Sequence, residues 1–425
     1  MIFHIDSNET GMLLDKIKGF KFNWNLSDYS LAWILFFSIV YQKLAPIGFV
    51  FWIITAYKTW EIRSFDNFLK STLEGNKKWF IAYYLLLVIG MFWTDNIPFG
   101  LSKLENKLTF ILFPILFSAT TLRSNQKHWK LILISALTFS LLTNEFMAFI
   151  KTLNSSESFS WQYFYDSRFC LNMHRSYFAS YLTIGIIFLL DFQQKKMSLI
   201  LTILILFLGI GVFQTMSKMG IISLAIVLTI YTLVVLMRKS WKTGLSLILI
   251  MFTLFFFSIT YKESPLRTRF EAISSALSNL KTENNPSTES NAARIIMWNT
   301  SLQVIGQYWL IGTGTGDYNE ILTNLNKKLN NTGVTEEQLN SHNQFLNTWV
   351  QLGIFGLFVL VMLFVSSFFQ NGRNLFGILI LSTFLINFLV ESFLETQSGI
   401  ILFCILSVIL FRESKEQQVQ STENS

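Results

Sequence analysis

Long apolar stretches alternate with short polar connections along most of the chain, and few of them show the one-sided spacing of an amphipathic helix. A helix of about 20 apolar residues crosses about 30 Å of hydrocarbon. Lipid offers the backbone no hydrogen bonds, so such runs must be helical. The pattern predicts about twelve spans, at 29–42, 44–58, 79–94, 107–122, 130–150, 175–191, 197–215, 219–237, 243–261, 353–370, 374–390 and 397–411. Only Gln42 to Pro46 parts the first two, which leaves open whether they are one bent unit or two helices. The expected fold is therefore all-α and polytopic, with one large extracytoplasmic loop containing short helices. The expected organisation is a cytoplasmic segment 1–28, spans one to nine over 29–261, a periplasmic loop 262–341, spans ten to twelve with a preceding short helix over 342–411, and a cytoplasmic tail 412–425.

Composition agrees with this class. Hydrophobic residues make up 52% of the 425 and charged ones only 14%, with 43 Phe; a soluble domain carries about 25% charged residues. The segment before the first span mixes acidic and basic residues without a short apolar core, so no cleavable signal peptide is expected and the first span serves as the anchor. The net charge of +7 is spread over span ends rather than gathered in a stripe, which argues against nucleic acid and makes it a topology signal. With the N-terminus inside, cytoplasmic connections hold nineteen Lys and Arg against seven in the short outer ones. Both termini are then cytoplasmic and the chain is a multi-pass membrane protein. Cys170 falls in a loop and Cys404 in an apolar run, so neither a disulfide framework nor a metal cluster is expected.

The loop 262–341 is the one large polar insertion, and it carries helix signals of its own. Asn291 can cap a helix through Gly306, with Ile295, Trp298, Leu302 and Ile305 at helical spacing. Thr335 with Gln338 resembles a capping box that opens a second helix toward His342. Between them, Gly312, Gly314 and Gly316 make a tight turn; no strand precedes them and no Gly-Lys-Ser/Thr follows, so they do not form a phosphate loop. Ionisable residues from several connections share the outer face: His342, Arg294, Lys218, His174, Arg175, Glu391 and Glu395. Each has a plainer structural use, as a snorkelling lysine, a capping histidine or an ion-pair partner. Arg294 stands near a helix N-terminus, where a cation gains nothing from the dipole, so it needs an anionic partner.

Several of these residues together resemble a known family. Arg294 with Trp298, the three glycines, His342-Asn343 with Phe345-Leu346, and Gln351 with Gly353 resemble the signature region of the O-antigen ligase and polymerase family. Ser217-Lys218 with Gly220, Met173-His174 with Ser176-Tyr177, and Glu391 with Leu394-Glu395 are similar to it as well. The resemblance implies an inverting glycosyltransferase of the bacterial inner membrane that moves an undecaprenyl-diphosphate-linked glycan to an acceptor at the periplasmic face, with neither metal nor other cofactor. The acceptor would be a glycan, lipid A core or a protein, according to whether the enzyme is a polymerase, a ligase or a protein O-oligosaccharyltransferase. His342 would then be the catalytic base, Arg294 and Lys218 the diphosphate-binding cations, and His174, Arg175, Glu391 and Glu395 supporting groups. The family more often has arginine where Lys218 stands; lysine keeps the charge and loses the planar fork. A lipid or polysaccharide transporter is the alternative from another class, but transporters place polar groups near the bilayer midplane. Glu145, late in the fifth span, is the main residue in such a position.

Overall fold

A computed structural model describes residues 24–60, 65–155, 160–195, 198–239, 253, 290–331, 334–335, 340–371 and 374–409, and no β-strand occurs among them. The described helices are α1 (Leu26–Val40), α2 (Ala45–Trp60), α3 (Phe65–Thr72), α4 (Lys77–Ile89), α5 (Ile97–Asn106), α6 (Thr109–Ala119), α7 (Gln126–Leu153) and α8 (Arg175–Lys195). They continue as α9 (Leu199–Gln214), α10 (Lys218–Lys239), α11 (Ser290–Tyr308), α12 (Tyr318–Lys328), α13 (Gln344–Asn371), α14 (Leu375–Phe388) and α15 (Gln397–Ile409). A helix lies at eleven of the expected positions, and α13 begins nine residues before the tenth, at Gln344, and kinks at Gly353. The ninth, 243–261, and the helix expected from Thr335 to Gln338 fall largely outside the described residues.

The first two expected spans correspond to separate helices. A 3-10 turn at Gln42–Leu44 reverses the chain, and α2 packs closely on α1: a Cβ on Gly48 would meet Ile34 Cγ1 at 2.6 Å. Three helices lie where no span was expected, α3, α5 and α12, because they are short and carry polar residues. α11 matches the expected loop helix from Asn291 to Gly306, extended by a residue or two at either end.

α7, α8, α10 and α13 are long and apolar enough to cross a membrane; α1, α9, α14 and α15 are apolar but shorter. α8 is the central helix, buried along nearly its whole length against α7, α9, α10 and α14. The outer face of α9 instead exposes Leu199, Ile203, Leu206 and Ile210, a three-and-four spacing that leaves one apolar stripe uncovered by protein. Lipid is the solvent that suits such a stripe. Lys130 at the start of α7 donates to Asp191 near the end of α8 at 2.6 Å, so the two helices run antiparallel. The residues of interest gather at the opposite end of α8, around His174 and Arg175. α11 and α12 form a smaller core of their own with Met297, Ile305, Tyr318 and Leu322, which reaches α13 through Val350.

A glycine joint ties that smaller unit to the bundle. Gly353 interrupts α13 with φ +66°, so the Ile354 amide turns away from its own helix and donates to Trp309 O at 2.9 Å. Val350 O and Gln351 O, left without their usual helical donors, accept from Thr313 N at 2.9 Å and Gly314 N at 3.1 Å. The glycine turn therefore supplies the hydrogen bonds the kink removes. Backbone approach this close leaves no room for a Cβ: one on Gly353 would sit 2.2 Å from Leu310 O, and one on Gly312 2.5 Å from Gln351 O. Gly353→Ala is expected to cost about 3 kcal/mol of stability, through left-handed strain plus the clash. A thermal or denaturant melt of the purified variant measures it, and an unchanged midpoint would refute the joint.

Candidate functional site

Glu391 is the node of the site. It lies just past the end of α14, where its amide still donates to Asn387 O at 2.8 Å. The start of α13 grips the same segment with three consecutive residues. His342 Nδ1 lies 3.3 Å from Glu391 Oε2, Asn343 Nδ2 donates to Leu389 O at 2.9 Å, and Gln344 Oε1 accepts from Leu394 N at 2.6 Å. Asn343 also caps α13, accepting from Phe345 N and Leu346 N at 2.9 and 3.0 Å. The run His342-Asn343-Gln344 is thus a clamp on residues 389–394, with the imidazole as its outermost finger.

α11 closes the other side. Arg294 donates from Nη2 to Glu391 Oε1 at 2.6 Å and from Nε to Val390 O at 3.1 Å, which supplies the anionic partner its position calls for. One turn on, Trp298 Nε1 donates to His342 O at 3.3 Å. Residues four apart share a helix face, so this one face of α11 holds both the carboxylate and the histidine backbone. His342 itself has φ +44°, in the left-handed region, held there by Trp298 and by its amide bond to Asn340 Oδ1 at 2.9 Å. A strained non-glycine conformation persists only where its surroundings enforce it.

The electrostatics settle which way the histidine proton points. Burial by itself would raise the Glu391 carboxyl, but the His342 hydrogen bond and the charges of Arg294, His342 and His174 outweigh it and bring it from 4.5 down to about 2. An ionised carboxylate only accepts, so His342 Nδ1 carries the hydrogen and Nε2 is the nitrogen left for chemistry.

The remaining expected residues divide. His174 caps the start of α8, its Nδ1 accepting from Ser176 N at 3.4 Å, and Ser176 Oγ donates to Glu391 Oε1 at 3.2 Å. Burial lowers the His174 pKa; Glu391 opposes this, while Arg175, Arg294 and His342 add to it. A capping acceptor nitrogen and a lowered pKa both favour the neutral ring. Arg175 turns away from the node to pair with Asp166. Lys218 opens α10, whose Gly220 packs so closely on α8 that a Cβ would fall 2.2 Å from Ala179. That contact sets the start of α10 beside the first turn of α8, one turn from Ser176. Glu145 accepts from Gln214 Nε2 at 2.7 Å, which links α7 to the end of α9.

Glu395 belongs to a second cluster. Lys107 Nζ lies 2.6 Å from its Oε1 and Lys103 Nζ 3.1 Å from its Oε2; Asn347 Nδ2 and Tyr318 OH donate to it at 3.0 and 2.9 Å. In the sequence nothing sets Lys103 and Lys107 apart from the other basic residues near span ends. α5, which carries Lys103, has a legible start: Asn96 accepts from Phe99 N, and Pro98 stands in the first turn. Helical spacing then puts Lys103 and Lys107 on one face.

Burial raises the Glu395 carboxyl too, and the two lysines overcome it, holding the group at about 2. A carboxylate depressed in the folded state stabilises it above the unfolded value and loses that contribution as pH falls toward the folded one. Both carboxylates move from 4.5 to about 2, on the order of 3 kcal/mol each. The unfolding midpoint is therefore expected to hold between pH 7 and 5 and to fall steeply below about 4.5. Glu391→Gln and Glu395→Gln variants should each flatten that fall; a wild-type midpoint flat down to pH 3 would overturn the assignment.

Residues 203–361 match the family described as O-Antigen ligase. The likeness covers 159 of the 425 residues. Within it fall Lys218, Arg294, the glycine joint, His342 and Gly353, so the clamp and the face of α11 opposite it belong to the family segment. Glu391, Glu395 and His174 lie outside the matched range and join the domain through space. An uncharacterized protein of Haemophilus influenzae is 27% identical over 160 residues, 34% of this chain and 39% of that protein. The chain thus spans about two fifths of the length of that relative.

Proposed function

We propose that this protein is an inverting glycosyltransferase of the bacterial inner membrane, moving an undecaprenyl-diphosphate-linked glycan to an acceptor hydroxyl at the periplasmic face. One observation carries the reading: an imidazole with its Nδ1 on a buried carboxylate that an arginine also holds, in a segment similar to the O-antigen ligase family. His342 Nε2 takes the proton of the acceptor hydroxyl as that oxygen attacks the anomeric carbon. The bond from that carbon to the phosphate oxygen breaks on the opposite face, its electron pair staying with the undecaprenyl diphosphate. Negative charge grows on that leaving group, and Arg294 and Lys218 are the cations assigned to it. The uncovered apolar stripes suit a polyprenyl chain as well as membrane lipid. Ligase, polymerase and protein O-oligosaccharyltransferase differ only in the acceptor.

Purified protein should transfer glycan from an undecaprenyl-diphosphate donor to lipid A core or to a second glycan, with inversion, and should do so in EDTA. The absence of transfer to glycan, lipid A core and protein acceptors alike would refute the reading. Loss on chelation, restored by magnesium, would refute its metal independence. The face is tested separately. A cysteine at Lys328, on α12, is expected to react with an impermeant thiol reagent in cells whose outer membrane is permeabilised. Labelling only after the inner membrane is broken would reverse the orientation.

A further inference from the structure

Lys107 is buried with no exposed side-chain surface, and Glu395 is nearly so, yet the site chemistry above uses neither. Their cluster joins five segments. Glu395 is held by Lys103 in the last turn of α5 and Lys107 just past its end, by Tyr318 at the start of α12, and by Asn347 in the first turn of α13. Lys107 Nζ also donates to Gln351 Oε1 at 3.3 Å, and Gln351 Nε2 donates to Thr315 O of the glycine joint at 3.0 Å. Asn347 points its amide nitrogen at the carboxylate, and among the described residues its own buried Oδ1 has no hydrogen-bond donor. An unsatisfied buried acceptor is costly, so the orientation is enforced.

Glu395 follows Glu391 by four residues, with a 3-10 turn at Phe393–Glu395 between them. That stretch is pinned at both ends: at Glu391 by Arg294, Ser176 and His342, and at Glu395 by two lysines, a tyrosine and an amide. In the middle Gln344 holds Leu394 N, and Gly399 lies so close that a Cβ would meet Phe393 O at 2.1 Å. We infer that Lys103 and Lys107 are positioning residues, acting through Glu395 to hold the Glu391 carboxylate at the distance that keeps His342 in its working tautomer. A misplacement of about 1 Å at a reacting group costs about 10²-fold in rate, so a charged anchor one short turn away is well placed to govern turnover. The kinetic part of this inference rests on the proposed transfer reaction; the structural part does not.

The test uses both. The chain has four histidines, so the His342 ring is resolvable by nitrogen-15 NMR of histidine-labelled full-length protein in detergent. Three variants are compared: Lys103→Met, Lys103→Arg, and the pair Lys107→Gln with Glu395→Gln, which removes one charge of each sign. The Lys103→Met and paired variants are expected to move the His342 Nδ1 resonance and lower kcat about 10- to 100-fold, with the donor KM within about threefold. Lys103→Arg restores the charge and should return both toward wild type. An unmoved resonance and an unchanged kcat per folded molecule, whatever the melting temperature does, would make the cluster a structural brace only. A raised donor KM with kcat intact would place the lysines on the donor instead. Either result overturns the inference. Should wild-type protein transfer nothing while the resonance still follows the variants, the positioning stands and the proposed reaction falls.

Discussion

His342→Ala is expected to lower the transfer rate about 10³-fold, within the span typical of a lost general base, while donor affinity changes less than about threefold. The reason is the division of contacts in the site. His342 touches Glu391 through one nitrogen only, whereas Glu391 keeps Arg294 at 2.6 Å and Ser176 at 3.2 Å when the imidazole is gone. The cations that meet the diphosphate therefore stay where they are. Removing Glu391 instead, as Glu391→Gln, leaves the ring in place but takes away the ionised acceptor that assigns the hydrogen to Nδ1. That variant should retain donor binding, its amide oxygen still accepting from Arg294, and lose about 10- to 100-fold in rate. Donor binding by a fluorescent lipid-diphosphate glycan and transfer on the same preparations separate the two effects. Abolished donor binding in His342→Ala would contradict a role confined to the acceptor.

Arg294 and Lys218 are expected to answer substitution in opposite ways. Arg294→Ala should lower kcat/KM about 10²-fold, near the loss of one oxyanion donor, and Arg294→Lys should recover little of it. The guanidinium spans two acceptors at once, Val390 O from Nε and Glu391 Oε1 from Nη2. A single ammonium at the end of a flexible stem cannot bridge a pair set by a planar fork. Lys218→Arg, by contrast, introduces the fork the family more often carries and should keep or raise activity, while Lys218→Ala lowers donor use. Steady-state kinetics of the four variants decides the matter. Full activity in Arg294→Lys would show that charge alone suffices there, and the bidentate hold on residues 390–391 would lose its role.

Much of this was written in the local sequence. Apolar runs dictate helices wherever lipid replaces water, since no other backbone form satisfies its own hydrogen bonds there. The helices α7, α8, α9, α10, α14 and α15 lie where periodicity and polar interruptions put them. Gly353 announces its kink because left-handed φ favours glycine. The candidate residues His342, Arg294 and Glu391 were also legible, as ionisable groups at the ends of apolar runs. Their mutual contacts were not, because they join residues up to 97 positions apart, and sequence spacing carries no distance at that range. Only the folded chain shows Arg294 and His342 on the two oxygens of one carboxylate, or Arg175 spent on Asp166. The same limit hid Lys103 and Lys107. In a sequence, a lysine beside an apolar run reads as a cytoplasmic or interfacial mark, because that is where free energy puts an unpaired cation. Lys107 is buried against the Glu395 carboxylate at 2.6 Å, and that residue stands 288 positions further on. Which charges are solvated and which are locked in the core is decided by tertiary pairing alone.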